Sequence, residues 1–396
     1  MKKITVLGNF SGRNAGDAAI LGGLLKDISS LYKHVEFLVP TINPRFVKES
    51  YPIYNIKPLN LMPWNLSVKI LGLPLMRAIR QADLILVTDA ILFDRKLYNP
   101  LFNYLWTMSK ALPFAKRLGI PVVLYNSSLG PVHSKAGKKA LTRVVRCADL
   151  MILRDKDSFE LLEYLGLEHP AIFEGADCAL NVEPAIDSRF AKMCEKARLF
   201  ESHRHVVGFN INSYVDAFVR EDGSSFGRDN LVELYAETVD RVIEILDVDV
   251  IFVETQHMDM GIAEQVMEAI RSKDRIRIIS NKQYNYKEIS AVLKRCDLFV
   301  GMRTHSLILS AAMGVVPVGI LTYPKNRGFM RTIGMEKNLI AFRDLTVDRY
   351  VELIVNTFEH RENLKNEMIP KLIEEKTKMQ RAAALLQPFL SGYSES

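Results

Sequence analysis

Short runs of aliphatic and β-branched residues recur along the chain, and nearly all of them end in polar residues or glycine. Lys3–Leu7, Val35–Val39, Leu84–Val87, Pro121–Tyr125, Leu150–Leu153 and Ala171–Phe173 are such runs in the first half. Val206–Phe209, Val250–Val253, Leu298–Val300 and Val315–Leu321 repeat the pattern in the second. Apart from Lys3–Leu7 and Val35–Val39, which carry polar residues between apolar ones, the runs are continuously apolar. Strands of this kind are buried on both faces, as in a parallel sheet. Segments with apolar residues at helical spacing lie between them, including Ala18–Tyr32 and Ser306–Met313, the latter stopped by Gly314. Strands alternating with helices predict an α/β protein.

One phrase occurs three times: a helix end, an acidic residue, a buried strand, then polar residues. It reads Ala82-Asp83-Leu84 to Val87, then Thr88-Asp89; Cys147-Ala148-Asp149-Leu150 to Leu153, then Arg154-Asp155 and Ser158; and Cys296-Asp297-Leu298 to Val300, then Arg303 and His305. Recurrence without a fixed short period points to one unit used in two Rossmann-like halves rather than to a solenoid. The expected domains are residues 1–185 and 205–345, joined by the polar and charged stretch Asn181–Arg204, which suits a linker and helix. Residues 346–396, rich in charged helix formers, should form a helical tail packing back toward the first domain.

At 396 residues, two domains are the default. The formal charge of +6 reads as a mild basic excess spread along the chain. It suits anionic substrates, and no basic run interleaved with aromatics argues for nucleic acid. Cys147, Cys178, Cys194 and Cys296 lack metal-type spacing, so no metal is expected, and they read as reduced thiols. The apolar run at the amino terminus is too short for a signal peptide, and no stretch reaches the ~20 apolar residues that span a bilayer. A cytoplasmic protein is expected. Residues 58–80 mix Leu, Met and Trp64 with Lys69, Arg77 and Arg80. A core-facing helix and loop is the favoured reading there. A peripheral contact with the inner face of the cell membrane is the other.

The candidate chemistry concentrates in residues 294–326. Arg303 and His305 stand where a strand ends and a helix begins, and Lys325 and Asn326 follow the next strand. Ligands of open α/β sheets bind outside the carboxyl ends of the strands. Helix amino termini there attract anions. The group Arg303, His305 and Lys325 therefore describes a site for a small, doubly charged acid. Near the amino terminus, Gly8-Asn9-Phe10-Ser11-Gly12-Arg13-Asn14-Ala15-Gly16-Asp17 links a strand to a helix. Glycine-rich turns of this kind cradle phosphates with backbone N–H groups, although the spacing is neither a dinucleotide fingerprint nor a P-loop. Asp17 is either the helix N-cap or a ligand contact. Asn210 and His257 stand at further strand exits.

These residues carry a resemblance. Gly8-Asn9 with Asn14-x-Gly16-Asp17, Leu129-Gly130-Pro131, Arg154-Asp155-x-x-Ser158, Asp177, and Arg303-x-His305 followed by Pro317, Tyr323 and Lys325 resemble the motifs of the polysaccharide pyruvyl transferase family. The resemblance implies a glycosyltransferase-B-like fold, two Rossmann-like domains facing across a cleft. It implies transfer of a pyruvyl group from phosphoenolpyruvate, with no other cofactor, to sugar hydroxyls, commonly as a cyclic ketal on a cell-surface or exopolysaccharide precursor. The acceptor is either soluble or lipid-linked. The chain departs from the family after Val87: members usually carry a run of glycines there, and this chain reads Thr88-Asp89-Ala90-Ile91-Leu92-Phe93-Asp94.

On this reading Arg303 holds one anion of the donor bidentately, and Lys325 or Arg154 holds the other. His305 protonates the methylene carbon or takes the hydroxyl proton, and its place at a helix amino terminus favours the base role. Asp17 is its candidate partner, and His257 is the second candidate base. Gly8, Asn9, Asn14, Gly16, Ser158, Asn210 and Asn326 complete the expected substrate contacts. Two other readings stand beside this one: a glycosyltransferase using a nucleotide sugar, and a non-catalytic sugar- or nucleotide-binding module.

Overall fold

The computed structural model describes residues 1–61, 73–97, 103–213, 227–322 and 324–390. By its contacts the chain forms two compact units. One gathers Met1–Gly12, Ile20–Cys178 and Glu375–Ser396; the other gathers Arg13–Ala19 and Ala179–Glu374.

The first unit runs β1 (Lys2–Leu7), α1 (Ala15–Leu31), β2 (Val35–Thr41), α2 (Pro44–Ser50), β3 (Ile56–Asn60), α3 (Leu73–Arg80), β4 (Leu84–Leu92), α4 (Tyr104–Arg117), β5 (Val122–Leu129), α5 (Lys135–Cys147), β6 (Leu150–Leu153), α6 (Lys156–Tyr164) and β7 (Ile172–Glu174). The first turn of α1 falls to the other unit. The sheet order is β3-β2-β1-β4-β5-β6-β7, with every described pair parallel. The chain starts mid-sheet, winds to one edge, then crosses back and winds to the other. The reversal falls between β1 and β4, where such sheets leave a crevice at the strands' carboxyl ends. Ile4, Val6, Leu84, Ile85, Val122 and Val123 are fully buried, as a sheet covered on both faces requires.

The second unit repeats this winding. It contains α7 (Asp187–Ala197), β8 (Val206–Phe209), α8 (Arg228–Leu246), β9 (Asp249–Glu254), α9 (Met260–Ala269), β10 (Ile276–Ser280), α10 (Tyr286–Leu293), β11 (Leu298–Gly301), α11 (Thr304–Ala312), β12 (Pro317–Leu321), α12 (Pro324–Thr332) and β13 (Leu339–Ala341). Its parallel order is β10-β9-β8-β11-β12-β13, with the reversal between β8 and β11. Then α13 (Val347–Glu359) and α14 (Arg361–Ala384) follow, with a short α15 (Gln387–Leu390). The end of α14 belongs to the first unit, where the Tyr32 hydroxyl donates to the Ala383 carbonyl at 3.3 Å.

Several elements differ from the sequence reading. β4 and β5 do not stop at their first polar residues. β4 continues through Thr88-Asp89, and β5 through Asn126-Ser127-Ser128, with register shifts at Val87/Asp89 and Leu124/Ser127. Asp89 (φ 75°) and Asn126 (φ 48°) adopt the left-handed conformation at these irregularities. Asp and Asn tolerate it better than most residues. One of the buried hydroxyls is tied to the neighbouring strand: Ser127 Oγ donates to the Val87 carbonyl at 2.6 Å. The stretch Asn181–Arg204, expected as an interdomain linker and helix, carries the helix α7. That helix is fastened to α10 by Arg189 and Glu288 at 2.8 Å, so it is part of the second unit.

Of the segment 58–80, Pro58–Asn60 end β3 and Leu73–Arg80 form α3, while residues 62–72 lie outside the described residues, as does Tyr323. No helix among the described residues is long and apolar enough to cross a membrane. The basic excess, read as spread along the chain, is instead concentrated: α3, α4 and α5 carry ten Lys or Arg and no Asp or Glu.

Candidate active site

At the reversal of the second sheet, the residues leaving β8, β9, β11 and β12 form one bonded cluster. Asn210, just beyond β8, donates from Nδ2 to the Val253 carbonyl (3.1 Å) and to Glu254 Oε2 (3.0 Å). Its Oδ1 accepts from Arg303 N (3.3 Å) and Ser306 Oγ (3.1 Å). Both amide hydrogens are thus engaged and the oxygen accepts in turn, the Ser306 hydroxyl being shared with the Arg303 carbonyl at 2.7 Å; the residue is fully buried. Asn210, expected as a substrate contact, is instead a clamp between three strand ends.

Arg303 precedes α11 as its N-cap residue. Its guanidinium forks onto Asp259, Nε to Oδ2 at 2.7 Å and Nη2 to Oδ1 at 2.7 Å. Asp259 Oδ1 also accepts from Ser213 N at 3.0 Å and from Ser213 Oγ at 2.8 Å. The Asp259 side chain is fully buried and that of Arg303 is 14% exposed. The bidentate geometry expected for a ligand anion is therefore taken by a carboxylate of the protein. Breaking such a buried pair on one side leaves an uncompensated charge, at a cost of about 3–5 kcal/mol. Glu254, beside it, is fully buried as well. Burial, then the Asp259 charge, hold its carboxyl well above the ordinary carboxylate range.

Asn326, in the first turn of α12, is also turned inward. Its Nδ2 reaches the Met302 carbonyl (3.1 Å), the Ile320 carbonyl (3.0 Å) and Thr322 Oγ1 (3.1 Å). Its Oδ1 accepts from the Thr304 hydroxyl. The side chain is fully buried, so Asn326, too, changes from a ligand contact to a tie, between the turns that open α11 and α12. Lys325, next to it, is half-buried.

His305 lies in the first turn of α11. The glycine-rich turn meets it: a Cβ on Gly16 would overlap the Cβ and Cγ of His305 and come within 2.7 Å of its Nδ1. Gly16 is thus required by close approach of the imidazole. The turn is held against the end of β9 by Ala15 N to the Thr255 carbonyl (2.8 Å) and His257 N to the Arg13 carbonyl (3.2 Å). An antiparallel bridge joins Asn14 to Gln256. Asn14 Oδ1 accepts from Gly16 N at 2.7 Å and shapes the turn. Asp17 follows directly, 5% exposed. The His257 Nε2 lies 3.3 Å from the Asn281 carbonyl. A carbonyl only accepts, so Nε2 carries the hydrogen in that contact.

The structure therefore brings Asn14, Gly16, His257, Arg303 and His305 together, with Asn210 and Asn326 as struts. Four other expected residues, Gly8, Asn9, Arg154 and Ser158, belong to the first unit. There Gly8 leaves room for the Phe10 ring, and Asn9 Oδ1 accepts from the Tyr104 hydroxyl at 2.9 Å. Ser158 is fully buried. Its Oγ donates to Asp155 Oδ1 (2.5 Å) and accepts from Leu129 N (2.8 Å), which makes it a tie between α6 and β5 rather than a ligand contact. Arg154 pairs with Asp177 at 2.6 Å, each side chain 6% exposed. Burial alone would lower the Arg154 pKa, but Asp177, Asp89 and Asp155 outweigh it and hold the guanidinium above its ordinary value.

Sequence reasoning missed Asp259 and Ser213. The local sequence Gln-His-Met-Asp-Met gives Asp259 no mark; its partner lies 44 residues away.

Comparison with known proteins adds the following. The family model for polysaccharide pyruvyl transferase matches residues 14–323. The amylovoran biosynthesis protein AmsJ of Erwinia amylovora is 23% identical over 400 residues, covering 89% of this chain and 93% of that protein. In fold, the chain is similar to the UDP-GlcNAc 2-epimerase of Neisseria meningitidis, solved bound to UDP-GlcNAc, at 12% identity and a TM-score of 0.68 over 99% of this chain and 100% of that one. It is similar also to Anabaena HepE, solved with UDP, at 15% identity and a TM-score of 0.62 over 99% and 100%. The architecture is thus GT-B-like, two parallel α/β sheets with a helical tail.

Two outcomes are expected from this geometry. Gly16→Ala forces the imidazole or the turn to move. It should lower stability by about 1–3 kcal/mol and shift the His305 ring resonances in an NMR spectrum; unmoved resonances would contradict the packing. Glu254 binds its proton more tightly when folded than unfolded. Its contribution is full below the unfolded pKa of ~4.3 and declines as pH rises toward the raised folded value. In denaturation across that range, Glu254→Gln should flatten the decline.

Proposed function

The chain belongs to the polysaccharide pyruvyl transferase family, and on that premise we propose that it transfers a pyruvyl group from phosphoenolpyruvate to sugar hydroxyls. The product is a cyclic ketal on an exopolysaccharide or cell-surface precursor. The similarity to AmsJ, described as an amylovoran biosynthesis protein, supports a place in polymer assembly.

The observation that carries the reading is His305 seated on Gly16 in the first turn of α11, with Arg303 just before it in an orientation set by Asp259. Two hydroxyl oxygens bond to the central carbon of the donor. The bond from that carbon to the phosphate oxygen breaks, and phosphate leaves with the electron pair. One hydroxyl proton reaches the methylene, which becomes a methyl group, and the other leaves with the phosphate. His305 takes the proton of the attacking hydroxyl, and Asp17, one residue beyond Gly16, is the group to orient it. The donor's phosphate and carboxylate are met by the N–H groups opening α11 and by Lys325. Arg154 is left out of donor binding because Asp177 already holds it. Arg303 acts as a fixed positive group, its fork on Asp259.

A second reading is transfer from a nucleotide sugar. It is favoured by the fold's likeness to proteins solved with UDP and UDP-GlcNAc. Thermal-shift and phosphate-release assays separate the two. Phosphoenolpyruvate should raise the melting temperature and release phosphate with an acceptor sugar present, while uridine diphosphate sugars do neither. His305→Gln should lower turnover about 10²–10⁴-fold with donor affinity nearly unchanged. Near-normal turnover in that variant would sink the assignment.

A further inference from the structure

Three helices of the first unit hold the chain's positive excess. α3, α4 and α5 pack side by side over a shared apolar cluster with β4 and β5. They carry two, three and five cations respectively, and no acidic residue. The whole chain has 52 basic and 46 acidic residues, so the remainder, 42 against 46, is net acidic. Nine of the ten cations are exposed.

Their arrangement follows helical geometry. On α5, Lys135, Lys139, Arg143 and Arg146 line the outer stripe, opposite buried Ala140, Leu141, Val144 and Val145. The outer stripe of α4 reads Trp106, Lys110, Phe114 and Arg117. Its two aromatic rings are half-buried against the cluster and capped by cations. Lys110 Nζ lies 5.9 Å from the Trp106 ring centre, and the Arg80 guanidinium lies 5.3 Å from that of Phe114. Asp149 engages one cation, Lys116, at 2.6 Å; beyond it along the chain come Asp155 and Asp157, both half-buried, and then exposed Glu160 and Glu163 on α6.

We propose that this face docks on a membrane leaflet bearing anionic phospholipid headgroups. Charge complementarity is the first argument: each cation near an acidic bilayer strengthens binding about fivefold. The placement of the aromatics is the second. Trp with a buried body and a cation over its face suits headgroup depth. Stacking on nucleic-acid bases needs exposed ring faces, and here the rings lie against the core beneath cations. The face holds none of the residues assigned to the reaction, so its failure would leave that reading untouched.

Vesicle flotation tests the proposal. The probes are phosphatidylcholine vesicles with and without about one-third phosphatidylglycerol, and a single-stranded RNA oligonucleotide as competitor. The protein should float with the acidic vesicles only, and less so as salt shortens the screening length from ~30 Å at 0.01 M to ~10 Å at 0.1 M. Lys139→Glu/Arg143→Glu/Arg146→Glu should bind at least about a hundredfold more weakly. Its thermal midpoint should not change, since these side chains are exposed. Lys337→Glu/Arg343→Glu/Lys365→Glu, with the same change in net charge, should bind like the wild type. Equal flotation with neutral vesicles, salt-insensitive binding, an undiminished first variant, an equally weakened second one, or displacement by the RNA would each overturn the proposal.

Discussion

The fully buried carboxylate of Asp259 is the constraint on which the site depends. It holds the Arg303 guanidinium in a two-point fork, and Arg303 is the residue from which α11 starts. The direction of that helix, and with it the place of His305, follows. The surrounding struts are the amides of Asn210 and Asn326, the hydroxyls of Ser213 and Thr304, and Glu254, whose carboxyl is held by burial above its ordinary range. The Arg303–Asp259 pair sums to no net charge, each member offsetting the other. A buried ion pair is weak evidence of stability in itself; here its value is orientation.

The two units share a winding order and a device. In each, an arginine leaves the carboxyl end of a strand and meets a buried aspartate from another strand's exit. Arg303 follows β11 and meets Asp259 beyond β9, and Arg154 follows β6 and meets Asp177 beyond β7. Cations at strand exits are tempting ligand contacts. In this protein both are already paired internally. Asp89 adds to the first-unit pair electrostatically and supplies the positive φ that a glycine would otherwise provide.

Much of the architecture was legible because parallel strands buried on both faces leave continuous apolar runs. Val206–Phe209 was read to the residue, and Leu298–Val300 fell one short. The reading failed where strands carry buried polar residues, as at Thr88-Asp89 and Asn126-Ser128. At Ser127 the partner that holds a polar side chain in the sheet comes from another strand. At the site, the approach of Arg303 and His305 to one helix start is a local property and could be read. The bonding of Asn210 and Asn326 depends on atoms from several distant segments, and so does the Asp259 fork. Gly16 was legible as a glycine needed at a turn, but not as the seat of an imidazole. The basic face escaped notice because it arises from helices adjacent in space, and a charge census along the chain averages it away.

A double-mutant cycle on Arg303→Met and Asp259→Asn, read by chemical denaturation, addresses the central claim most directly. If the fork fixes the site, the two substitutions are strongly non-additive, with a coupling of about 2–3 kcal/mol. Effects that add to within about 0.5 kcal/mol would mean that Arg303 does not depend on Asp259, and that its guanidinium is set by something else.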